Sequence, residues 1–365
     1  MRRLFFFLII TFISCKKEIA INPVAADCSD PLQSDILALL NSTATSNAPQ
    51  ISIKIKERSA KAVLVADKAW ESSGINYTTV LKDGSKWKMW YESFDSSASS
   101  DFDTYLCYAE SIDGISWKKP ELNLVKYKGS NKNNIVLAKG FHGTSIFYDE
   151  NADLSARYKL VFTMPNETDG SWIYGMSSPD GIKFGNTVLL VKTYSDTQTS
   201  VIYDQGKYRL YSRLWEGGKI GYGRRFIGYT ESLNFGVSCF PKPEKILALI
   251  NSYDRDLYNN AISKLKDNLY IMLPSFFYYK EDVLIPKIAT SADGINFSLT
   301  DEVFLSLGSG FDSKQIIVCP IVIQGTSKRE FIIYYLGKAI DHSVDFNQIK
   351  GKFTGGIGRL VIEIN

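Results

Sequence analysis

The chain has 365 residues and a formal net charge of +3, enough length for one large domain or two ordinary ones and no charge excess to mark a nucleic-acid or membrane-surface partner. Its content is 45% hydrophobic and 13% aromatic, with 21 Tyr and 21 Phe, which suits β-strands because pleated surfaces favour aromatic side chains. Only two histidines occur, His142 and His342, so a multi-histidine metal site is excluded. No cofactor is expected, and a cation at the centre of the fold would find only oxygen ligands and His142.

In chain order, Arg2 and Arg3 precede an apolar run, Leu4 to Ile13, that ends at Ser14-Cys15. A positive start and a short apolar run describe a targeting segment, too short for a stable membrane span. Its end resembles a bacterial lipobox, so residues 1–15 are expected to be a lipoprotein-type signal with Cys15 lipidated. An ordinary secretory signal is the alternative. Residues 16–50 are polar, with Asn41-Ser42-Thr43-Ala44-Thr45-Ser46 at their centre, and read as a flexible tether. The protein is then expected at the bacterial cell envelope, touching membrane only through its anchor. Cys107 and Cys319 lie in apolar runs and are expected to be small buried hydrophobes.

From residue 51 to 365 the pattern is strand, turn, strand, in five units. Their first strands are Tyr77–Val80, Ser145–Tyr148, Ser200–Tyr203, Asn260–Ser263 and Gln315–Ile323. Ser-x-Asp-Gly-Ile-x-aromatic recurs at Ser111–Trp117, Ser178–Phe184 and Ser291–Phe297, with a worn copy at Ser232–Phe235. Such a repeat of short strands predicts an all-β propeller of four-stranded antiparallel blades. The fifth unit is one strand short. Ile51–Lys56 alternates apolar and polar residues, as a half-buried strand does, and is predicted to close the last blade.

Asp followed by Gly between strands is a tight-turn signal, because Gly supplies positive φ and the Asp side chain bonds nearby N–H groups. These aspartates are therefore read as scaffold, and the aromatic three residues after Gly is expected to pack between blades. Ser343-Val344-Asp345-Phe346 looks like another copy but precedes a third-strand pattern, and it is read as chance.

Tyr108-Ala109-Glu110-Ser111 through Trp117 to Pro120, then Gly129–Val136, Ser195-Asp196-Thr197-Gln198 and Arg224-Arg225, resemble secreted bacterial five-bladed propellers related to glycoside hydrolase families 32 and 43. The resemblance spans most of residues 60–360, although the invertase-type tripeptides are absent. It implies catalytic acids where the innermost strand of each blade begins. Glu71, His142, Asp196, Asp256 and Asp312 stand at that place, 71, 54, 60 and 56 residues apart.

Glycoside hydrolysis needs a proton donor and an ionised carboxylate. Glu71, Asp196 and Asp256 are the candidate catalytic acids. Trp70, His142, Gln198, Arg213, Arg225, Tyr258, Asn259 and Asp312 are the candidate substrate contacts, supplying aromatic faces and donors. The expected activity is that of an extracytoplasmic glycoside hydrolase, a monomer acting on an oligo- or polysaccharide. A carbohydrate-binding propeller without a working acid pair is the alternative, and an interaction propeller a third.

Overall fold

The computed structural model describes residues 48–365 except 169, 250, 251, 351 and 352, so the expected signal segment, the lipidation site and nearly all of the tether lie outside the described residues. The fold is all-β. Two strands open it, β1 (Ile53–Arg58) and β2 (Leu64–Val65). Three four-stranded antiparallel sheets follow in chain order. The first holds β3 (Gly74–Asp83), β4 (Lys86–Phe94), β5 (Tyr105–Ser111) and β6 (Ile135–Leu137). The second holds β7 (His142–Tyr148), β8 (Tyr158–Asn166), β9 (Gly170–Ser178) and β10 (Val188–Val191). The third holds β11 (Ser200–Asp204), β12 (Lys207–Trp215), β13 (Arg225–Ser232) and β14 (Glu244–Ala248).

The remaining strands form two antiparallel groups joined by a single parallel pair, Leu284 with Gln315. One contains β15 (Arg255–Leu257), β16 (Ile262–Lys266), β17 (Leu269–Met272), β18 (Ser275–Tyr278), β19 (Val283–Ser291) and β20 (Ser298–Val303). The other contains β21 (Gln315–Gln324), β22 (Glu330–Lys338) and β23 (Gly355–Ile364), with β1 antiparallel to β23 from Ile53–Ile364 to Arg58–Leu360. Burial along β1 differs from the expected alternation. Lys54, Ile55, Lys56 and Glu57 are all exposed, because β1 is an outermost strand and a register shift between Ile55 and Glu57 breaks its period. The strands nearest the middle touch in succession: β3 with β7, β7 with β11, β11 with β16, β16 with β21, and β21 with β3.

The three Ser-Asp-Gly turns share one set of bonds. Ser111 Oγ accepts from Gly114 N–H at 2.9 Å, while Asp113 accepts from the N–H groups of Ile115 and Ser116, each at 2.8 Å. The same bonds recur at Ser178/Asp180 and at Ser291/Asp293. Gly114, Gly181 and Gly294 have φ of +70°, +76° and +80°, which a side chain would strain. The backbone N–H groups of Ser116 and Ile115 hold the Asp113 carboxyl down at about 2.

Each of these turns also docks on another sheet. Trp90 Nε1 donates to the Gly181 carbonyl, Tyr211 Oη to that of Gly294, and Tyr334 Oη to that of Gly114. Trp117 meets Tyr334 edge-on at 6.0 Å, and Phe297 meets Tyr211 at 6.5 Å. A second latch joins consecutive sheets through aspartates: Tyr158 Oη donates to Asp83 at 2.5 Å, Tyr208 to Asp149 at 2.6 Å and Tyr270 to Asp204 at 2.5 Å. Tyr208 and Asp149 are both buried. Tyr208→Phe is therefore expected to cost about 1.5–3 kcal/mol, the range for a bond to a charged group. Urea unfolding measures this, and an unchanged midpoint would remove the latch from the stability of the fold.

Large aromatic and aliphatic residues fill the spaces between sheets, among them Trp90, Tyr91, Tyr211, Tyr229 and Phe276. Cys107 and Cys319 are free thiols within this core.

Candidate active site

A cavity of about 380 Å³ opens where the first strands begin. His142 opens β7, Asp196 lies just before β11, Tyr258 follows β15, and Gln315 opens β21; all four line it. The antiparallel partners of these strands deliver the ends of the second strands to the same place. Lys338 pairs in register with Gln315, and Glu92 with Asn76. Arg213 of β12, Arg225 at the start of β13, and Ile340, Asp341, His342, Val344, Asp345, Ile349 and Phe353 complete the wall.

Arg213 and Trp215 hold the Asp196 carboxylate. Its Oδ1 lies 2.6 Å from Arg213 Nη2 and accepts from Nε at 3.1 Å, while Trp215 Nε1 donates to Oδ2 at 3.0 Å. Burial acts to raise its pKa, but the charge and bonds of Arg213 and Trp215 prevail and hold it below the ordinary 3.8. Arg213 is held in turn: Nη1 donates to the Tyr258 carbonyl at 2.7 Å, and the guanidinium lies 4.8 Å from the Tyr258 ring centre.

His142 and Glu92 form the second charge pair. His142 Nδ1 is 3.0 Å from Glu92 Oε2, a close charge contact rather than a straight hydrogen bond. Glu92 Oε1 accepts from Thr144 N–H at 2.7 Å, which fixes the carboxylate. Burial lowers the histidine pKa, yet the Glu92 charge outweighs it and holds it above 6.5. Gly143 permits this placement: its φ is +67°, and a Cβ there would run into the Thr197 carbonyl beside Asp196.

Burial shifts two further groups in the cavity. Burial pulls Lys338 down to about 8, against the charges of Asp101 and Glu92. His342 is held at about 3 by burial, then by Lys338, Arg213 and Arg225, so it stays neutral at ordinary pH. Its ring stands edge-on to Tyr258 at 4.7 Å.

Of the expected residues, the structure brings together Asp196, His142, Arg213, Arg225 and Tyr258. The other six stand elsewhere. Glu71 is fully buried and accepts from Asp67 N–H, Lys68 N–H, Lys119 Nζ and Tyr91 Oη at 2.6–3.1 Å, so it anchors the entry to β3 and does not line the cavity. Asp256 sits behind the wall. It accepts from Arg225 N–H at 3.1 Å and lies 3.6 Å from Arg225 Nη1, which makes it a positioning residue for that arginine. Asp312 takes Arg58 at 2.5 Å and Tyr335 Oη at 2.8 Å, tying β1 to its neighbours. Trp70 donates to Asn134, Asn259 accepts from Ser275 N–H, and Gln198 bridges the carbonyls of Thr78 and Thr144. None of these six lines the cavity.

Sequence reasoning passed over Glu92, Asp101, Lys338, Asp341 and His342. A charge inside an apolar strand, as in Met89-Trp90-Tyr91-Glu92 or Tyr334-Tyr335-Leu336-Gly337-Lys338, was the signal available for two of them. The segment dismissed as a chance turn copy also contributes, since Val344 and Asp345 line the cavity. Among the described residues, no group of three or more His, Cys, Asp or Glu side chains is placed to hold a metal.

No protein-family model matches the sequence. No curated protein matches it. Solved structures match the fold. An N-acetylgalactosamine deacetylase from F. plautii, in complex with blood group B trisaccharide, is 13% identical at a TM-score of 0.59, covering 86% of this chain and 94% of that one. The catalytic domain of a Coprinopsis cinerea GH62 α-L-arabinofuranosidase is 13% identical at 0.58, covering 83% and 95%. A glycosyl hydrolase from Bacteroides ovatus is 13% identical at 0.55, covering 80% and 85%. The chain thus shares the fold of glycoside-hydrolase-type propeller proteins.

Proposed function

We propose that this protein is a glycoside hydrolase acting in the cavity bounded by Asp196, His142 and Arg225, on a propeller of five blades whose last blade takes β1 as its outer strand. The succession of contacts among the first strands and the β1–β23 pairing support that architecture. One observation carries the activity: a proton-bearing group and an ionised carboxylate line the same cavity, their pKa values driven apart by different partners.

His142, kept charged by Glu92, gives its proton to the departing glycosidic oxygen. Asp196 faces the positive charge that develops at the anomeric carbon. It either takes a proton from the attacking water or bonds the anomeric carbon itself, and the anomer first released distinguishes these routes. Arg213 keeps the carboxylate ionised and oriented. The proton donor in this reading is an imidazole rather than a second carboxylic acid; the acids expected from the sequence, Glu71 and Asp256, are both committed outside the cavity lining.

The test is a hydrolysis screen of the purified protein, without its first 15 residues, across plant, microbial and host glycans. Release of reducing sugar supports the reading. Glycan binding with no turnover on any substrate would identify a carbohydrate-binding propeller instead. We place the protein at the bacterial cell envelope, anchored through lipidated Cys15, on the strength of the N-terminal pattern. Cys15→Ala is expected to move the expressed protein from the membrane to the soluble fraction, and continued membrane association would overturn the anchor.

A further inference from the structure

We infer that the sugar bound in this cavity carries a carboxylate, recognised jointly by Lys338 and Arg225; the inference rests on the glycan-processing reading above and names its substrate class. Several charges in the cavity already have partners. Arg213 is matched by Asp196 at 2.6 Å, His142 by Glu92 at 3.0 Å, and Asp341 by Lys314 at 2.7 Å. Lys338 has no such match. Among the described residues its ammonium makes no hydrogen bond and no ion pair, and Asp101 and Glu92 act on it only from beyond bonding distance. Lys338 is half-buried and lines the cavity, so an anion entering there meets an ammonium with no partner of its own.

Arg225 is nearly as open. Its one carboxylate, Asp256, stands 3.6 Å from Nη1 and also serves Arg224 and the Arg225 backbone N–H. Its Nε has no hydrogen-bond partner. The guanidinium lies 4.3 Å from the Trp215 ring centre and 5.8 Å from that of Phe277, so aromatic faces fix its plane. A planar guanidinium with open donors is matched to a planar carboxylate, and an ammonium adds a point charge to the same anion. His342 shows that this charge is concentrated in one place, since Lys338, Arg213 and Arg225 all act to keep it neutral. As a neutral imidazole it can still bond a sugar hydroxyl. A neutral sugar would leave Lys338 without a bonded anion and Arg225 with Asp256 at 3.6 Å; a uronic acid completes both. Free inorganic phosphate offers the same oxyanion chemistry and is the rival source.

Calorimetric titration separates them. The probes are glucuronate- and galacturonate-containing disaccharides, their neutral glucose and galactose counterparts, and inorganic phosphate, each with the parent protein and with Lys338→Met. At least one uronate is expected to bind tenfold or more tightly than its neutral counterpart, with the preference lost in Lys338→Met. Lys338→Met is also expected to melt at or above the parent temperature, because it removes an unpartnered charge from a half-buried position. Equal binding of neutral and acidic sugars, a preference that survives the substitution, or no uronate binding at ~10 mM overturns the inference. So does Lys338-dependent binding of phosphate alone, or a melting temperature lower by ~5 °C, which would make Lys338 a structural cation. Uronate binding without hydrolysis would leave this inference standing and remove the hydrolase; hydrolysis of neutral glycans with rejection of uronides would do the reverse.

Discussion

Asp196→Asn is expected to lower turnover by at least about 10³-fold on any glycan the parent protein cleaves, the scale on which loss of a reacting carboxylate acts. The reason is charge rather than shape. Asparagine keeps an acceptor for Arg213 and a side chain of the same size, but it cannot face a developing cation with a negative charge or take a proton from water. Asp196 is held below the ordinary carboxylate range, so the parent supplies that charge throughout the working pH of most enzymes. The substitution also unbalances Arg213, whose side chain is only 5% exposed. Removing one member of a buried pair costs about 3–5 kcal/mol, and the retained amide acceptor offsets part of that. Activity must therefore be compared at a temperature where circular dichroism shows the variant folded. A folded Asp196→Asn protein with near-parent kcat would take Asp196 out of the chemistry and return it to the scaffold.

Glu92→Gln is expected to act through pH. In the parent, the Glu92 charge outweighs burial and raises the His142 pKa above its ordinary value, so the proposed donor keeps its proton to higher pH and activity falls as pH rises through that elevated pKa. Glutamine preserves the bond to Thr144 N–H but removes the charge, leaving burial as the dominant influence on the imidazole. Its pKa then falls, and the alkaline limb of kcat/KM moves to lower pH. Stability follows the same sign. A raised histidine pKa stabilises the fold below pH 6.5, and that contribution is lost as pH rises through the folded value, about 1.4 kcal/mol for each unit of elevation. Glu92→Gln should therefore lose stability below pH 6.5 and little above the parent's raised value. An alkaline limb that does not move would show that His142 is not the proton donor, and a stability loss uniform across pH would show that Glu92 serves packing alone.

How far the sequence reaches is clear from particular residues. The turn motif was legible because its bonds are local: Ser, Asp and Gly within four positions satisfy one another whatever surrounds them, as the three copies with their common geometry show. Asp196 and His142 were legible because they stand just before or at the start of first strands, and the repeat spacing marks where those strands begin. Glu71, Asp256 and Asp312 passed the same spacing criterion and still lie off the cavity lining. Their chain positions are right, but a carboxylate's direction depends on its partners. Lys119 lies 48 residues from Glu71, and Arg58 lies 254 from Asp312.

Local patterning by itself determined the all-β class, the strand and turn order, and the scaffold role of the repeated aspartates. These follow from side-chain alternation and turn chemistry within a few residues. Only the tertiary structure decided which charges meet. An antiparallel hairpin returns the end of its second strand to the start of its first, which sets Glu92 across from Asn76 and Lys338 across from Gln315. Separate sheets then place these ends around one cavity, where burial and neighbouring charges, absent from any stretch of sequence, set the protonation of His142, Asp196, Lys338 and His342.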